Sequence, residues 1–345
     1  MRSDEPSAAV PQPAAAAIAT TAAATSCDTP PQFNLGLPKA GSSALAAFLN
    51  GGIRKGATLE AAANARVLGT HAFEMHKLFM AVERAVPPSE IRQLLLANND
   101  AFRSKFGCDA VNVQTILWVF AAEVYTLFPD ATFFNIRRNV YTWIDAMLVH
   151  LTKSASPDAG DEWQQEALVF LLHRHAELFE SIRDGPAARS PPALALVSAL
   201  AQQWCLHETR YVGPIRSKCR VVGLDSADAR LDGFWEPKRT WESSPFNASA
   251  KAQMSYANMG NGRSQLWSVP GLLEEVASTV RRVPGCETSA NAELLSPEAP
   301  PADSRWARRP VLQLETLLRA MVRFVSRCSH CQRSCATGPV CHLLW

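Results

Sequence analysis

The stretch Phe33–Leu49 constrains this chain most: FNLGLPKAGSSALAAFL reads as a short apolar strand, a tight loop and an apolar-faced helix in immediate succession. Gly36 and Gly41 frame the loop with Gly-x-x-x-x-Gly spacing, and Ser42 and Ser43 open the helix. Backbone N–H groups at a helix N-terminus point outward at the positive end of the helix dipole, so a loop of this kind can cradle an anion. A Walker-type phosphate loop would continue Gly-Lys-Ser/Thr. Here Ser42 stands where that lysine would be, and the lysine is Lys39, inside the loop. The ammonium is thereby set nearer the 5′ end of a nucleotide than a γ-phosphate. The alternative reading is a strand–turn–helix whose glycines serve only the turn.

A second segment has the same plan. Leu127–Leu148 reads LFPDATFFNIRRNVYTWIDAML: a turn at Phe128-Pro129-Asp130, an apolar β-rich run over Thr132–Ile136, then Arg137 and Arg138, then a helix beginning near Tyr141. Ligands of open α/β sheets bind at the carboxyl ends of strands. Both arginines are therefore placed to meet an anion, and a guanidinium fork suits a phosphate.

Pro38-Lys39-Ala40-Gly41-Ser42-Ser43 resembles the first signature of the PAPS-dependent sulfotransferase superfamily, Pro-Lys-Ser-Gly-Thr-Thr between strand and helix. Ala40 replaces a serine and two serines replace threonines. The second segment is similar to that family's second signature, in which a Pro-Asp turn and a strand precede Arg-Asp-Pro or Arg-Asn-Pro and a helix carrying a bulky residue. Arg138-Asn139 aligns with the family's Arg, and Trp143 falls at the bulky position. Val140 stands where Pro is usual, and Ala146 stands where the family has a phosphate-binding Ser. The resemblance covers about residues 33–282, closely at the two motifs and thinly between them. It implies an α/β fold with a three-layer, P-loop-type parallel sheet flanked by helices. It also implies that PAPS (3′-phosphoadenosine 5′-phosphosulfate) is the sulfuryl donor. Pro38, Lys39, Ala40, Gly41, Ser42 and Ser43 would hold the 5′-phosphosulfate, with Lys39 stabilising the leaving phosphate. Arg138 would hold the 3′-phosphate. Thr142 is the only near neighbour able to stand in for the missing serine at Ala146, because Asp145 would repel a phosphate.

In-line sulfuryl transfer also needs a base for the acceptor, within about 3 Å of the proton it takes. Family members place a His or carboxylate between the two signatures. His71, Glu74, His76, Asp109 and Glu123 lie there. His71 leads, because it follows the candidate strand 65–69. Asp109 is next, although its place before a helix also suits an N-cap. Late in the chain, Asn258–Gln265 (NMGNGRSQ) could close over the 3′-phosphate through Arg263, or be an ordinary turn.

Composition decides the remaining organisation. The 345 residues, 47% of them hydrophobic, can hold one large α/β domain with tails. A net charge of +2 excludes a general polyanion binder, so no nucleic-acid partner is expected and any phosphate site must be local. Nine cysteines in so long a chain do not read as a disulfide scaffold. Residues 1–32, rich in Ala, Pro, Thr and Ser without an aromatic, cannot build a core and are expected to be a disordered tail. Asp4 and Glu5 cancel the early basic charge of a leader peptide, and no segment is apolar for the ~18 residues a transmembrane helix needs. A cytoplasmic location is the resulting expectation.

The α/β domain is assigned to 33–286, with a linker over 287–309 and a helix plus cysteine-rich tail over 310–345. The chain after about Glu287 is expected to be dispensable for ligand binding. Helices are expected over 70–85, 87–97, 111–126, 162–182 and 193–209, and a buried strand over 219–224. The tail CSHCQRSCATGPVCH has thiols and imidazoles suited to zinc, but not in a spacing that specifies a zinc site, so no metal is assigned.

The leading expectation is a sulfotransferase acting on a hydroxyl or amine of a small-molecule or glycan acceptor. A P-loop kinase or NTPase is disfavoured, because no lysine precedes Ser42. A non-catalytic nucleotide- or partner-binding descendant is the third reading, kept open by Ala146.

Overall fold

The computed structural model describes residues 27–40, 78, 86–108, 110–114, 116–154, 171–172, 174–184, 190–223, 270–288, 291–297, 317–319 and 321–322. Four strands among them position the site: Gln32–Asn34 (β1), Val111–Asn112 (β2), Thr132–Arg137 (β3) and Cys219–Gly223 (β4). They form one parallel sheet in the order β2-β1-β3-β4. Phe33 lies between Asn112 and Phe133, Asn34 beside Phe134, and Arg137 beside Gly223. The fold is therefore α/β with a small parallel sheet, and the two strands that carry the sequence motifs are its central neighbours. Gly36 shows how closely they approach. A Cβ there would sit 2.9 Å from the Ile136 carbonyl oxygen, so no larger residue fits without moving the backbone.

Parallel neighbours need crossovers, and helices supply them. The helices are Pro88–Phe106 (α1), Ala121–Leu127 (α2), Val140–Ser154 (α3), Ala176–Asp184 (α4), Pro192–Leu206 (α5) and Leu272–Arg282 (α6). α3 buries Val140, Tyr141, Trp143, Ile144, Met147, Leu148 and Leu151, one stripe at helical spacing. Its start is set by Asn139, whose side-chain oxygen accepts the Tyr141 N–H at 2.9 Å. α5 starts with proline in its first turn and buries Ala195 through Ala201 on every side, as a helix enclosed by others must. It packs against α3, α4 and α6. α6 carries Glu274 and Glu275 in its first turn and Arg281 and Arg282 in its last, which complements its dipole.

Two expectations change. Residues 111–126 are not one helix: Val111–Asn112 joins the sheet, a tight turn spans Leu117–Phe120, and only Ala121–Leu127 is α-helical. A short apolar run does not distinguish strand from helix, and the free edge of β1 decided it. Residues 291–297, read as linker, are packed: Asn291 is buried and hydrogen-bonded to Arg137 on β3. The chain also holds two disulfides that its cysteine count did not lead us to expect, Cys27–Cys108 and Cys205–Cys286. The expected strand at 65–69, residues 1–26 of the tail expected over 1–32 and the cysteine-rich segment after 322 lie outside the described residues; within that expected tail, Cys27 is bonded to Cys108 and Gln32 opens β1. No helix of the described residues is long and apolar enough to cross a membrane.

Candidate functional site

Folding brings the two motifs into contact. Arg138 Nη1 donates to the Lys39 carbonyl at 3.1 Å across 99 positions of sequence. The buried indole N–H of Trp143 donates to the Pro38 carbonyl at 2.7 Å. The start of the loop is thus held by its carbonyl oxygens from β3 and α3. Lys39 itself has φ of 62°, the left-handed region that side chains with a Cβ rarely occupy. Such an outlier costs on the order of 1 kcal/mol and persists only where neighbours over-determine it. Here Trp143 and Arg138 do so from the two adjoining carbonyls. The Lys39 side chain is exposed, while Ala40 beside it is buried.

Arg138 is oriented on its other edge by Thr142, whose hydroxyl oxygen accepts from Nε at 3.2 Å. That hydroxyl donates in turn to the Asn139 carbonyl at 3.1 Å. Thr142 therefore aims the guanidinium, and its own proton is already engaged. The Arg138 backbone carbonyl is fixed by the Trp204 indole N–H at 3.1 Å. Ala146 lies half-buried further along α3. Pro38, Lys39, Ala40, Arg138 and Thr142 form one cluster at the carboxyl ends of β1 and β3. Gly41, Ser42, Ser43, His71, Asp109 and Arg263 lie outside the described residues, and Glu123 is half-buried on α2.

Arg137 does not face this cluster, and here the expectation that both arginines meet an anion is corrected. Its Nε donates to Glu208 Oε2 at 2.9 Å and its Nη2 to Asn291 Oδ1 at 2.5 Å. Arg137 is the last residue of β3 and turns to Glu208 and Asn291, whereas Arg138, just past the strand, turns to the loop. Glu208 is the hub of a buried network that sequence reading missed. Its side chain is 2% exposed and also accepts from Arg216 at 3.0 Å and from His207 Nδ1 at 2.9 Å. His207 Nε2 meets the Leu35 carbonyl at 2.8 Å. Burial alone would raise the Glu208 pKa, but the His207 hydrogen bond and the charges of His207, Arg137 and Arg216 hold it down at about 2. The only signal in the sequence was a polar run of four, His207-Glu208-Thr209-Arg210, following an apolar helix.

Other buried groups behave differently. Burial pushes His175 down to about 4, against a raising hydrogen bond from Gln202. Burial pushes the free Cys219 thiol up to about 12, which disfavours the thiolate. Asn135 on β3 and Gln114 just beyond β2 are wholly buried, and neither end of either carboxamide has a hydrogen-bond partner. Among the described residues no group of three or more His, Cys, Asp or Glu could hold a metal ion.

Chemically, the arrangement offers a lysine on a strained loop and an oriented guanidinium bonded to that lysine's carbonyl. Two cationic side chains on adjoining segments can together meet an anion. Compared with protein-family models, with characterised proteins and with solved structures, the chain shows no match.

Proposed function

We propose that this chain is a sulfotransferase that moves a sulfuryl group from PAPS to a hydroxyl or amine of a small-molecule or glycan acceptor. The observation that carries the reading is the contact between the two motifs: the Lys39 carbonyl lies 3.1 Å from Arg138 Nη1, at the ends of adjacent central strands. A ligand with phosphates at both ends of a ribose would need one cation from each motif. The order of the motifs along the sequence, and the parallel pairing of the two strands that precede them, support the same reading.

Bound PAPS would supply an activated sulfuryl group on a good leaving phosphate. Within this reading, Pro38, Ala40, Gly41, Ser42 and Ser43 hold the 5′ end, and Lys39 stabilises the negative charge that grows on the departing oxygen. Arg138, aimed by Thr142, holds the 3′-phosphate. The acceptor proton passes to a base, for which His71 and Asp109 are the candidates.

Two measurements test this. Isothermal titration should give tighter binding of PAP (adenosine 3′,5′-bisphosphate, the desulfonated product) than of ATP; the reverse order would favour a kinase or NTPase. Turnover of labelled PAPS against a panel of hydroxyl and amine acceptors separates the enzyme from a non-catalytic descendant. The latter reading draws on Ala146 and on the engaged Thr142 hydroxyl, and PAP binding without turnover would establish it.

The compartment is part of the proposal. Cys27–Cys108 and Cys205–Cys286 weigh against the cytoplasmic expectation and for folding under oxidising conditions, where disulfides persist. Peptide mapping of the natively expressed protein without reductant checks this: free thiols at all four positions would restore the cytoplasmic reading.

A further inference from the structure

Among the described residues the Glu208 network reaches two places that bear on the candidate site, and both are one residue from a motif. Through His207 it reaches the carbonyl of Leu35, the residue before Gly36 and the loop. Through Arg137 it reaches the residue before Arg138. The carboxylate is shared so that each oxygen serves one side: Oε1 accepts from His207 at 2.9 Å and Oε2 from Arg137 at 2.9 Å. Arg216 ties the hub to its own backbone, donating to the Glu208 carbonyl at 2.5 Å as well as to Oε2. Asn291 bridges Arg137 to the Cys286 carbonyl at 2.8 Å, next to the Cys205–Cys286 disulfide.

Both nitrogens of His207 face oxygens, the Leu35 carbonyl and the Glu208 carboxylate, so the ring links the two. The ring is fixed further by Trp118, edge-on at 5.7 Å between centroids. Burying this many charges is a poor way to gain stability, because desolvation consumes most of the attraction and apolar residues of like volume do as well. What the network does that apolar packing cannot is fix direction. It sets the end of β1 and the end of β3 against one rigid carboxylate.

We propose that Glu208 and His207 are positioning residues that hold the Lys39 loop and Arg138 at the spacing needed to grip both phosphates of one nucleotide. This rests on the PAPS reading above. It makes a prediction that a merely structural role does not: the network should matter for a ligand that spans both motifs and not for one that touches the loop alone.

The experiment uses the full chain and two probes, PAP and 5′-AMP, which lacks the 3′-phosphate. Wild-type protein should bind PAP more tightly than 5′-AMP; equal affinities would defeat the PAPS reading itself. In Glu208→Gln and in His207→Leu, checked for folding by near-ultraviolet circular dichroism, the PAP dissociation constant should rise about tenfold or more. The 5′-AMP constant should stay within about twofold. Glu208→Asp, which keeps the charge, should recover part of the PAP preference. An unchanged preference in either folded variant overturns the inference, as does an equal loss for both nucleotides. Failure of both variants to fold would also overturn it, because the network would then be structural alone.

Discussion

Arg137 and Arg138 are neighbours in sequence with opposite fates. Arg137 is turned into the protein, 11% exposed, and neutralised by Glu208. Arg138 lies just past the strand at the edge of the sheet, where its guanidinium donates to the Lys39 carbonyl and to the Thr142 hydroxyl. The difference teaches that a cation next to a strand end is not by itself an anion site. What matters is whether the protein has already supplied the counter-charge. The interior arginine is committed to a buried carboxylate, and the edge arginine is bonded to the motif loop.

That comparison can be broken by exchanging the two losses. Arg137→Ala leaves Glu208 short of a partner in the interior and should cost about 3–5 kcal/mol in urea unfolding. Arg138→Ala should change stability by under about 1 kcal/mol, as expected for a partly exposed site. It should weaken PAP by about 1.5–3 kcal/mol, the scale for a charged hydrogen bond. Comparable destabilisation by the two substitutions would erase the distinction.

The interior side has a covalent brace. Cys205→Ala with Cys286→Ala should lower stability by about 2–4 kcal/mol, the usual range for a native disulfide. It should also loosen Asn291, and hydrogen exchange over 286–297 would register this. The same bond argues that a chain ending at residue 286 loses the Asn291 and Ser296 contacts to Arg137 and Asn139, contrary to the expected dispensability of that segment. If such a shortened protein matched the full chain in stability, the packed segment would be contributing nothing.

Acid sharpens the contrast, because the interior has titrating groups with displaced values. His175 is lowered from 6.5 to about 4, so between those values the unfolded chain takes up a proton that the folded one refuses. Stability from this group is complete above pH 6.5 and is lost as pH falls toward 4, by up to about 3 kcal/mol. Glu208 is lowered from 4.5 to about 2, so its contribution is present above pH 4.5 and is lost as pH falls toward 2. His175→Asn should flatten the upper part of the stability profile alone. A profile that keeps its slope there would remove His175 from the account.

Smaller effects probe the boundary between the two regions. Asn135→Leu replaces a buried carboxamide without partners by an apolar group of the same heavy-atom count, and should stabilise by about 1–2 kcal/mol. Destabilisation would mean that the carboxamide has an unseen polar partner. At the edge, Lys39→Gly relieves the left-handed backbone and should raise stability by up to about 1 kcal/mol while lowering turnover sharply. Turnover at the wild-type rate would take the ammonium out of the mechanism.

The local pieces of the site were legible in the sequence. The Gly36–Gly41 loop, the strand before Arg138, the helix near Tyr141 and the strand beginning at Cys219 each depend on glycine placement or on periodicity within a few residues, and the structure has strands or helices at three of those places. The Trp143 position was also visible, but not its reason, the hydrogen bond to Pro38. β2 was misread because a two-residue strand is defined by the neighbour it pairs with and not by its own pattern.

Only the tertiary structure decided which arginine is drawn into the interior. Arg137 and Glu208 are 71 positions apart, His207 and Leu35 are 172 apart, and the Cys205–Cys286 pair spans 81. A side chain's local sequence states its charge and the face of the strand it occupies. Whether that charge is spent depends on what the chain brings to the same face from far away, and the burial of those partners, which sets the strength of their attraction, exists only once the sheet and helices have closed around them.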